Sequence, residues 1–216
     1  MAEDKFIPAL RFKFLTRFYD PIVRLTTREI TFKQALLKQS NLQNGQTILD
    51  LACGTGTLPI GIRKRFPDAR IFAFDVDEEI LQMARRKAKK YRADIFFEQG
   101  SSDNLPFENE TFDRVFSSLF FHHLTLAEKT LTLREILRVL KPAGEFHLAD
   151  YALPRNKIQF VLSKSVRLID GYETTRDNLR GRLLDLIKEV GFREVERTGY
   201  VKTILGTIRL FKAIKW

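Results

Sequence analysis

Several features of secreted and membrane proteins are missing from this sequence. Its 216 residues include one cysteine, which excludes an internal disulfide and a metal site built from clustered cysteines, and we expect no metal cofactor. No apolar run approaches the roughly 18 residues of a membrane-spanning helix. Residues 1–5, MAEDK, show no signal-peptide pattern, so we expect a cytoplasmic protein. Internal repeats and low-complexity stretches are also absent from the sequence.

Acidic side chains are in the minority, with 27 Asp+Glu against 37 Lys+Arg and a formal net charge of +10. The excess lies at the two ends. Residues 1–45 carry +4 and residues 151–216 carry +7, whereas residues 46–150 carry −1. A nucleic-acid partner, an anionic membrane surface and an acidic substrate each suit this pattern. A solvated surface that keeps the protein soluble suits it equally well.

Short apolar runs alternate with helical patterns through the middle of the chain. The predicted strands cover residues 48–51, 71–75, 95–97, 112–117 and 144–149, and the predicted helices cover residues 57–66, 77–92 and 125–139. Strands separated by helices of this length form right-handed βαβ units in a parallel, doubly wound α/β sheet. The ligand site of such a sheet lies at the carboxyl ends of its strands.

The C-terminal part adds two strands without a helix between them. Asp177 is the predicted N-cap of a helix that ends at Gly191, and strands follow near residues 193–201 and 203–212. The short connection between these strands makes the last one antiparallel. The predicted fold is therefore a Rossmann-like, mostly parallel sheet of seven strands within a domain of residues 46–216.

Amphipathic segments outside this alternation form candidate caps over the site. Residues 1–45 are predicted to form an N-terminal helical cap, whose second helix begins at Pro21 and runs to about Lys38. Residues 156–176 contain another amphipathic stretch and form a predicted cap insertion. These segments either cover the site or cover hydrophobic edges of the sheet.

A glycine-containing loop follows the first predicted strand and opens a helix. Gly54 and Gly56 allow a tight turn and close approach of a ligand. Asp75 ends the second strand, where a carboxylate can accept hydrogen bonds from ribose hydroxyls. A dinucleotide pyrophosphate fits less well, because Pro59 replaces the third glycine and the carboxylate of Asp50 would repel phosphate. Asp50 suits an ammonium group instead.

A set of motifs in this order resembles the class I S-adenosylmethionine-dependent methyltransferases over residues 48–150. The small-molecule group of ubiquinone/menaquinone-biosynthesis C-methyltransferases is the most similar. The matching segments are Ile48–Gly56, Phe74–Asp77, Ile80–Arg85, Leu105–Phe107, Phe112–Ser118, His122–Leu124 and Glu135–Gly144.

The resemblance implies a role for each matching position in holding S-adenosylmethionine. Asp50 would hold the amino group, Asp75 the ribose hydroxyls, and Val76 would pack on the adenine. Ala52 stands where many members have glycine. Ser101 stands where an acid usually contacts the adenine amino group. The residues expected to line the cofactor are Asp50, Ala52, Cys53, Gly54, Gly56, Asp75, Val76, Ser101, Ser102 and Ser117.

Three residues are candidates for catalysis. His122 follows the fourth strand and could act as a base near neutral pH, or it could be a packed or helix-capping histidine. Tyr19, beside Asp20, resembles a tyrosine of the N-terminal cap in many relatives; it would close over the cofactor, or it is a core aromatic. Tyr151 ends the fifth strand beside Asp150 and could face the acceptor.

We therefore expect an enzyme that methylates a small molecule and releases S-adenosylhomocysteine. The charged, Phe-rich ends suit a quinone, a lipid or another anionic amphiphile, and suit peripheral contact with the inner face of a membrane. The alternatives are an RNA methyltransferase, a non-enzymatic cofactor-binding relative and a nicotinamide dehydrogenase. Residues 85–92 form a basic run that is either a solvated helix face or an RNA contact. We expect no nucleic-acid partner, because no RNA-binding module is recognisable. The oligomeric state stays open.

Overall fold

The computed structural model describes residues 27–152, 182–204 and 206–216, which form one α/β sheet with helices on both faces. The strands are β1 (Thr47–Leu51), β2 (Arg70–Asp75), β3 (Phe96–Gln99), β4 (Phe112–Ser118), β5 (Leu140–Ala152), β6 (Arg193–Lys202) and β7 (Thr207–Ile214). The described helices are α1 (Glu29–Ser40), α2 (Thr57–Arg65), α3 (Glu78–Lys90), α4 (Leu126–Val139) and α5 (Arg182–Val190), and a 3-10 turn covers Phe121–His123.

The strand order is β3-β2-β1-β4-β5-β7-β6. Strands β1 to β5 pair in parallel, and β7 lies antiparallel between β5 and β6. The order reverses between β1 and β4, and this reversal is where open α/β sheets bind ligands. The predicted seven-stranded, doubly wound sheet with an antiparallel last strand is confirmed.

The helices divide into two layers. Phe32 and Leu36 of α1 share an apolar core with Ile62 of α2 on one face of the sheet. Leu133 of α4 and Ile187 of α5 belong to the core on the opposite face. Burial of these apolar side chains stabilises the packing of the helices on the sheet. The strand ends therefore lie between two helical layers.

Polar caps set the starts of two helices. The side chain of Asp77 accepts hydrogen bonds from the backbone N–H groups of Glu79 and Ile80 at the start of α3. Thr125 and Glu128 form a reciprocal capping box at the start of α4. Such caps satisfy the N–H groups that a helix leaves without partners. Both helices lie within one or two residues of their predicted bounds.

Two strands begin four residues away from their predicted starts. β5 begins at Leu140, four residues before the predicted start, because Leu140 pairs with Phe112 and the backbone N–H of Ala143 donates to the carbonyl of Lys215. β7 begins later than predicted, since Thr203 donates from both its backbone N–H and its hydroxyl to the carbonyl of Gly206 and closes a turn. The first difference comes from pairing with distant chain segments, and the second comes from a local turn.

Several predicted features lie outside the described residues. These are residues 1–26 of the predicted N-terminal cap, which include Tyr19 and Pro21, together with the segment 156–176 and the N-cap Asp177. The proposed boundary near residue 45 stays a prediction. Within the described ranges, no helix is both long enough and apolar enough to cross a bilayer.

Candidate cofactor and acceptor site

The loop after β1 turns through three residues with left-handed backbone conformation. Ala52 has φ 58°, Gly54 has φ 54° and Gly56 has φ 74°. The backbone N–H of Cys53 donates to the carbonyl of Phe74 at 3.0 Å, which ties the loop to β2. Glycine adopts this conformation readily, whereas alanine at position 52 carries steric strain.

The two glycines of the loop have different surroundings. A Cβ atom added to Gly54 would meet no heavy atom within 4 Å, so Gly54 borders open space. A Cβ atom added to Gly56 would lie 3.1 Å from the Cβ of Ala84 in α3. Gly54 therefore leaves room for a ligand, and Gly56 permits close packing of the loop on a helix.

Asp75 connects the end of β2 to the loop. One carboxylate oxygen accepts a 2.9 Å hydrogen bond from the Gly54 N–H, and the other accepts a 3.1 Å bond from the Asp77 N–H. Burial raises the pKa of Asp75, and these hydrogen bonds oppose the rise. Val76 follows with 42% of its surface exposed. A carboxylate thus lies beside an exposed apolar side chain.

Asp50 is a buried carboxyl group with an unsatisfied oxygen. Its surface is 1% exposed, and no group among the described residues hydrogen-bonds to Oδ1. Burial raises its pKa to about 7; Lys33 opposes the rise, whereas Asp75 and Glu29 add to it. Lys33 and Glu29 form a 2.5 Å ion pair on α1. An unpaired buried oxygen of this kind fits a cationic ligand group.

No motif in the sequence pointed to the ion pair on α1. Glu29 and Lys33 precede Asp50 by two turns of helix and a loop, and they interact with it only because α1 packs on the sheet, against β5, β6 and β7. Their i, i+4 spacing is compatible with any solvated helical ion pair. The tertiary contact gives Lys33 its influence on the Asp50 carboxyl group.

The remaining predicted cofactor residues differ in their surroundings. Ser101 is exposed just after β3, and Ser102 shares a 2.8 Å hydrogen bond with Thr132 of α4. Ser117 is fully buried, and its hydroxyl oxygen has no hydrogen-bond partner within the described part of the chain. Burial also raises the pKa of the Cys53 thiol well above its usual value, so this thiol is a poor nucleophile.

A buried histidine–carboxylate pair lies at the carboxyl ends of β4 and β5. The Nδ1 atom of His122 is 2.8 Å from Oδ1 of Asp150, and both residues are at most 3% exposed. Burial opposes ionisation of Asp150, but His122 holds its pKa below the ordinary value. Because a carboxylate only accepts, Nδ1 carries the proton and Nε2 is the basic nitrogen.

Other groups fix the position of this pair. Asp150 Oδ1 also accepts a 2.6 Å bond from the backbone N–H of Tyr151, while Oδ2 has no hydrogen-bond partner in residues 27–152, 182–204 and 206–216. The Tyr151 ring lies edge-on to His122 at 5.0 Å, and the ring of His123 lies 4.0 Å away. The sequence placed Asp150 near the acceptor but did not identify it as the partner of His122.

The structure thus brings two groups of predicted site residues to one edge of the sheet. Asp50, Gly54 and Asp75 lie at the ends of β1 and β2, and His122 and Tyr151 lie at the ends of β4 and β5. Tyr19 is outside the described residues. Since parallel strands end together at the same edge, a ligand across this edge can contact both groups.

Comparisons with known proteins agree with this arrangement. A family described as a methyltransferase domain matches residues 48–144. The chain is 30% identical to a demethylmenaquinone methyltransferase of Symbiobacterium thermophilum over 203 residues, which cover 82% of this chain and 79% of the relative. It is 26% identical to a ubiquinone/menaquinone biosynthesis C-methyltransferase of Marinomonas, with 86% and 80% covered.

Solved structures share the same fold. A SAM-dependent methyltransferase from Aquifex aeolicus aligns with a TM-score of 0.70 and 20% identity, over 93% of this chain and 96% of that one. A phosphoethanolamine N-methyltransferase of Haemonchus contortus, solved with S-adenosylhomocysteine, aligns with a TM-score of 0.71 and 17% identity, over 86% and 52%. Sequence and fold together show that this chain belongs to the class I S-adenosylmethionine-dependent methyltransferases, in the group similar to ubiquinone/menaquinone-biosynthesis C-methyltransferases.

Proposed function

We propose that this methyltransferase methylates a ring carbon of a reduced quinone, using His122 as the base that activates the acceptor. The buried hydrogen bond between His122 and Asp150 carries the proposal, because a histidine held in one tautomer can take a proton from an aromatic hydroxyl. The names of the relatives at 26–30% identity support a quinone-type acceptor.

The residues at the ends of β1 and β2 fit the polar groups of S-adenosylmethionine. We assign the unpaired oxygen of Asp50 to the cofactor's ammonium group, because opposite charges attract strongly in a buried site. We assign Asp75 to the ribose hydroxyls, since each of its oxygens accepts one bond and retains capacity for another. Val76 offers its exposed apolar surface to the adenine.

The loop would supply the rest of the cofactor's surroundings. Gly54 leaves open space beside the backbone, and Ala52 and Cys53 shape the turn around it. Ser101 is exposed and can accept a hydrogen bond from the adenine amino group, whereas Ser102 is engaged with Thr132. The unpaired hydroxyl of Ser117 suits a polar ligand atom at the end of β4. Gly56 contributes through packing of the loop rather than contact.

Proton removal by His122 would raise the nucleophilicity of the acceptor ring. An aromatic hydroxyl that loses its proton pushes electron density onto the neighbouring ring carbon. Once methylated, that carbon would release its own hydrogen as a proton while the ring oxygen is protonated again, which restores the aromatic hydroxyl. The Nε2 atom of His122 would receive the hydroxyl proton, and Asp150 would stabilise the resulting imidazolium through Nδ1. When bound, S-adenosylmethionine supplies an electrophilic methyl group, and S-adenosylhomocysteine is the product. Burial of both side chains keeps competing water from the base.

The acceptor side would be completed by aromatic and charged groups. The Tyr151 ring, edge-on to His122, gives a flat acceptor an apolar contact beside the base. We also propose that Tyr19 closes over the cofactor, because it resembles the tyrosine of the N-terminal cap in many relatives. The excess positive charge outside residues 46–150 suits peripheral contact with an anionic membrane that carries the acceptor.

A methyl-transfer assay with a reduced, unmethylated naphthoquinone tests the proposal. The wild-type protein should form a ring-methylated product, identified by mass spectrometry together with S-adenosylhomocysteine. His122→Gln should lower kcat by about 10²–10⁴-fold, the usual contribution of a general base, while calorimetry shows unchanged affinity for S-adenosylhomocysteine.

His147→Gln is the matched control, because it removes another buried histidine whose ring nitrogen is bonded to a carboxylate, that of Glu145, outside the candidate site. This control should retain activity within a few-fold of wild type. The proposal fails if the wild-type protein transfers no methyl group to any reduced quinone, or if His122→Gln is as active as the control.

A further inference from the structure

The connection between β3 and β4, residues 100–111, contains turns but no helix or strand. It begins at the edge of the sheet where β2 ends with Asp75. The backbone N–H of Gly100 donates to the carbonyl of Asp75 at 3.1 Å. A Cβ atom added to Gly100 would lie 2.8 Å from Cζ of Phe74, so glycine lets the connection pass close to β2. The next residue, Ser101, therefore starts beside the carboxylate that we assign to the ribose.

Helix α4 holds this connection through side chains on one side of the helix. Thr132, Glu135 and Arg138 are spaced three residues apart, which places them along one helical face. The hydroxyl of Thr132, which is fully buried, shares the 2.8 Å hydrogen bond with the hydroxyl of Ser102. This bond is the α4 contact nearest in sequence to Ser101.

Glu135 and Arg138 bind the backbone further along the connection. A carboxylate oxygen of Glu135 accepts a 2.7 Å bond from the Leu105 N–H. The guanidinium of Arg138 donates to the carbonyls of Leu105 and Phe107 at 3.0 and 2.8 Å. Arg138 also donates to Glu135 and holds the pKa of Glu135 below its ordinary value, so this carboxyl group stays ionised. The carbonyls of the last two α4 residues accept bonds from the backbone N–H groups of residues 110–111.

We infer that Thr132 is a positioning residue for recognition of the adenine amino group. The inference rests on the proposed function, in which Ser101 accepts a hydrogen bond from that group. The exposed Ser101 lies between two fixed points, since Gly100 is bonded to β2 and Ser102 is bonded to α4. Because Thr132 is fully buried, water competes little for its hydroxyl. A contact that is held in place before the ligand arrives loses less conformational entropy on binding.

Calorimetry with two ligands tests this role on the full chain. One is S-adenosylhomocysteine, and the other is an analogue in which a hydrogen atom replaces the adenine amino group. The hydrogen bond to the amino group should make the wild-type protein bind S-adenosylhomocysteine about two- to tenfold more tightly than the analogue. Thr132→Val and Ser102→Ala each remove the bond between the two hydroxyls, so in each variant both ligands should bind about equally.

The double variant Thr132→Val/Ser102→Ala should show no further change, because the two residues act through one hydrogen bond. Thr132→Ser keeps the hydroxyl and should keep the wild-type preference. Thr130→Val is the matched control: it is an identical replacement on the same helix, where the Thr130 hydroxyl donates to the carbonyl of Leu126 within α4. Thermal unfolding monitors the folding of every variant.

An equal loss of affinity for both ligands in Thr132→Val would indicate a structural role alone and would contradict the inference. An unchanged preference in both single variants, or a preference lost equally in the Thr130→Val control, would also contradict it. If the wild-type protein binds both ligands equally, Ser101 makes no contact with the amino group, and the inference fails together with that assignment. No readout depends on methyl transfer or on a quinone, so these outcomes are separable from failure of the proposed methylation.

Discussion

The Nδ1 atom of His122 lies 2.8 Å from Oδ1 of Asp150, although the two residues are 28 positions apart. The first follows β4 in a 3-10 turn, and the second lies near the end of β5. Parallel pairing of β4 with β5 brings the two together at the same edge of the sheet. The pair is nearly inaccessible to solvent, so water competes little for its hydrogen bond.

Replacing Asp150 with Asn should impair catalysis without removing the cofactor site. The amide cannot stabilise an imidazolium as a carboxylate does, and it can hold the imidazole in the other tautomer. We expect kcat for the quinone acceptor to fall by about 10²–10⁴-fold.

The readouts for Asp150→Asn are the pH profile of kcat and the Kd for S-adenosylhomocysteine. The limb that reports the base should move relative to wild type, and the Kd should stay within a few-fold. An unchanged pH profile together with a fully active enzyme would contradict the role of Asp150 as a positioning residue.

Cofactor affinity should depend on the ionisation of Asp50. Its pKa in the folded chain is about 7, so Asp50 is largely protonated at pH 6 and must lose its proton to pair with the ligand's ammonium group. The same group titrates near ~4 when unfolded. We therefore expect S-adenosylhomocysteine to bind roughly eightfold more tightly at pH 7.5 than at pH 6, as measured by calorimetry.

The same shift predicts how Asp50 affects stability. The folded chain holds this proton to higher pH than the unfolded chain does, so the stability that Asp50 contributes is greatest below the unfolded pKa and declines as pH rises towards 7. Asp50→Asn should therefore raise the Tm at pH 7.5, while weakening cofactor binding and flattening its dependence on pH. A lower Tm for this variant would contradict the conclusion that burial of the ionised Asp50 carboxylate destabilises the folded chain.

Lys33→Met should shift the pH dependence of S-adenosylhomocysteine affinity to higher pH. Lys33 lowers the pKa of Asp50, so its removal leaves burial and the negative charges of Asp75 and Glu29 to raise that pKa further. The midpoint of the affinity–pH curve should then lie above that of wild type. Lys38→Met, at an exposed position of the same helix, is the control and should leave the midpoint in place.

Ala52→Gly should stabilise the protein. Ala52 has φ 58°, a conformation that costs an L-residue about 1–2 kcal/mol. The additional freedom of glycine in the unfolded chain offsets about 0.4–1 kcal/mol of that gain. A net increase of about 0.5–1 kcal/mol in the free energy of unfolding is expected in urea titrations.

The control for this change is Ala35→Gly, an identical replacement inside helix α1. It should instead lower the free energy of unfolding by about 0.5–1 kcal/mol, because glycine is unfavourable in a helix interior. A decrease for Ala52→Gly as well would show that the loop carries no strain at this position.

Replacing each of the two loop glycines with alanine should distinguish the glycine that leaves space for a ligand from the glycine that packs against a helix. Gly56→Ala places a Cβ atom 3.1 Å from that of Ala84 in a left-handed conformation, so we expect a loss of stability of about 2 kcal/mol. Gly54→Ala meets no neighbouring atom, and its cost is confined to the backbone at about 1 kcal/mol. The Tm and the Kd for S-adenosylhomocysteine, measured on both variants, test the difference.

Gly54→Ala should weaken S-adenosylhomocysteine binding more than its small loss of stability suggests, since the new methyl group occupies the open space beside the loop. Equal affinity for wild type and Gly54→Ala would show that the ligand does not approach this residue.

Much of the fold could be read from local patterns. Alternating apolar runs and helical spacing located the strands and helices, because each burial pattern depends on residues close together in sequence. The glycine loop and the acid at the end of β2 were equally visible, since their positions are set by a short motif. Bounds that depend on distant partners, such as the early start of β5 at Leu140, were not predictable in this way.

The sequence by itself determined the order of strands and helices, the methyltransferase motifs and the identity of the polar groups at the strand ends. Only the tertiary structure decided which of them meet. Strand pairing joined His122 to Asp150, and packing of α1 on the sheet brought Lys33 near Asp50. The physical reason is that burial and charge interactions depend on distances in space between residues that are far apart in sequence, and a sequence motif does not specify these distances.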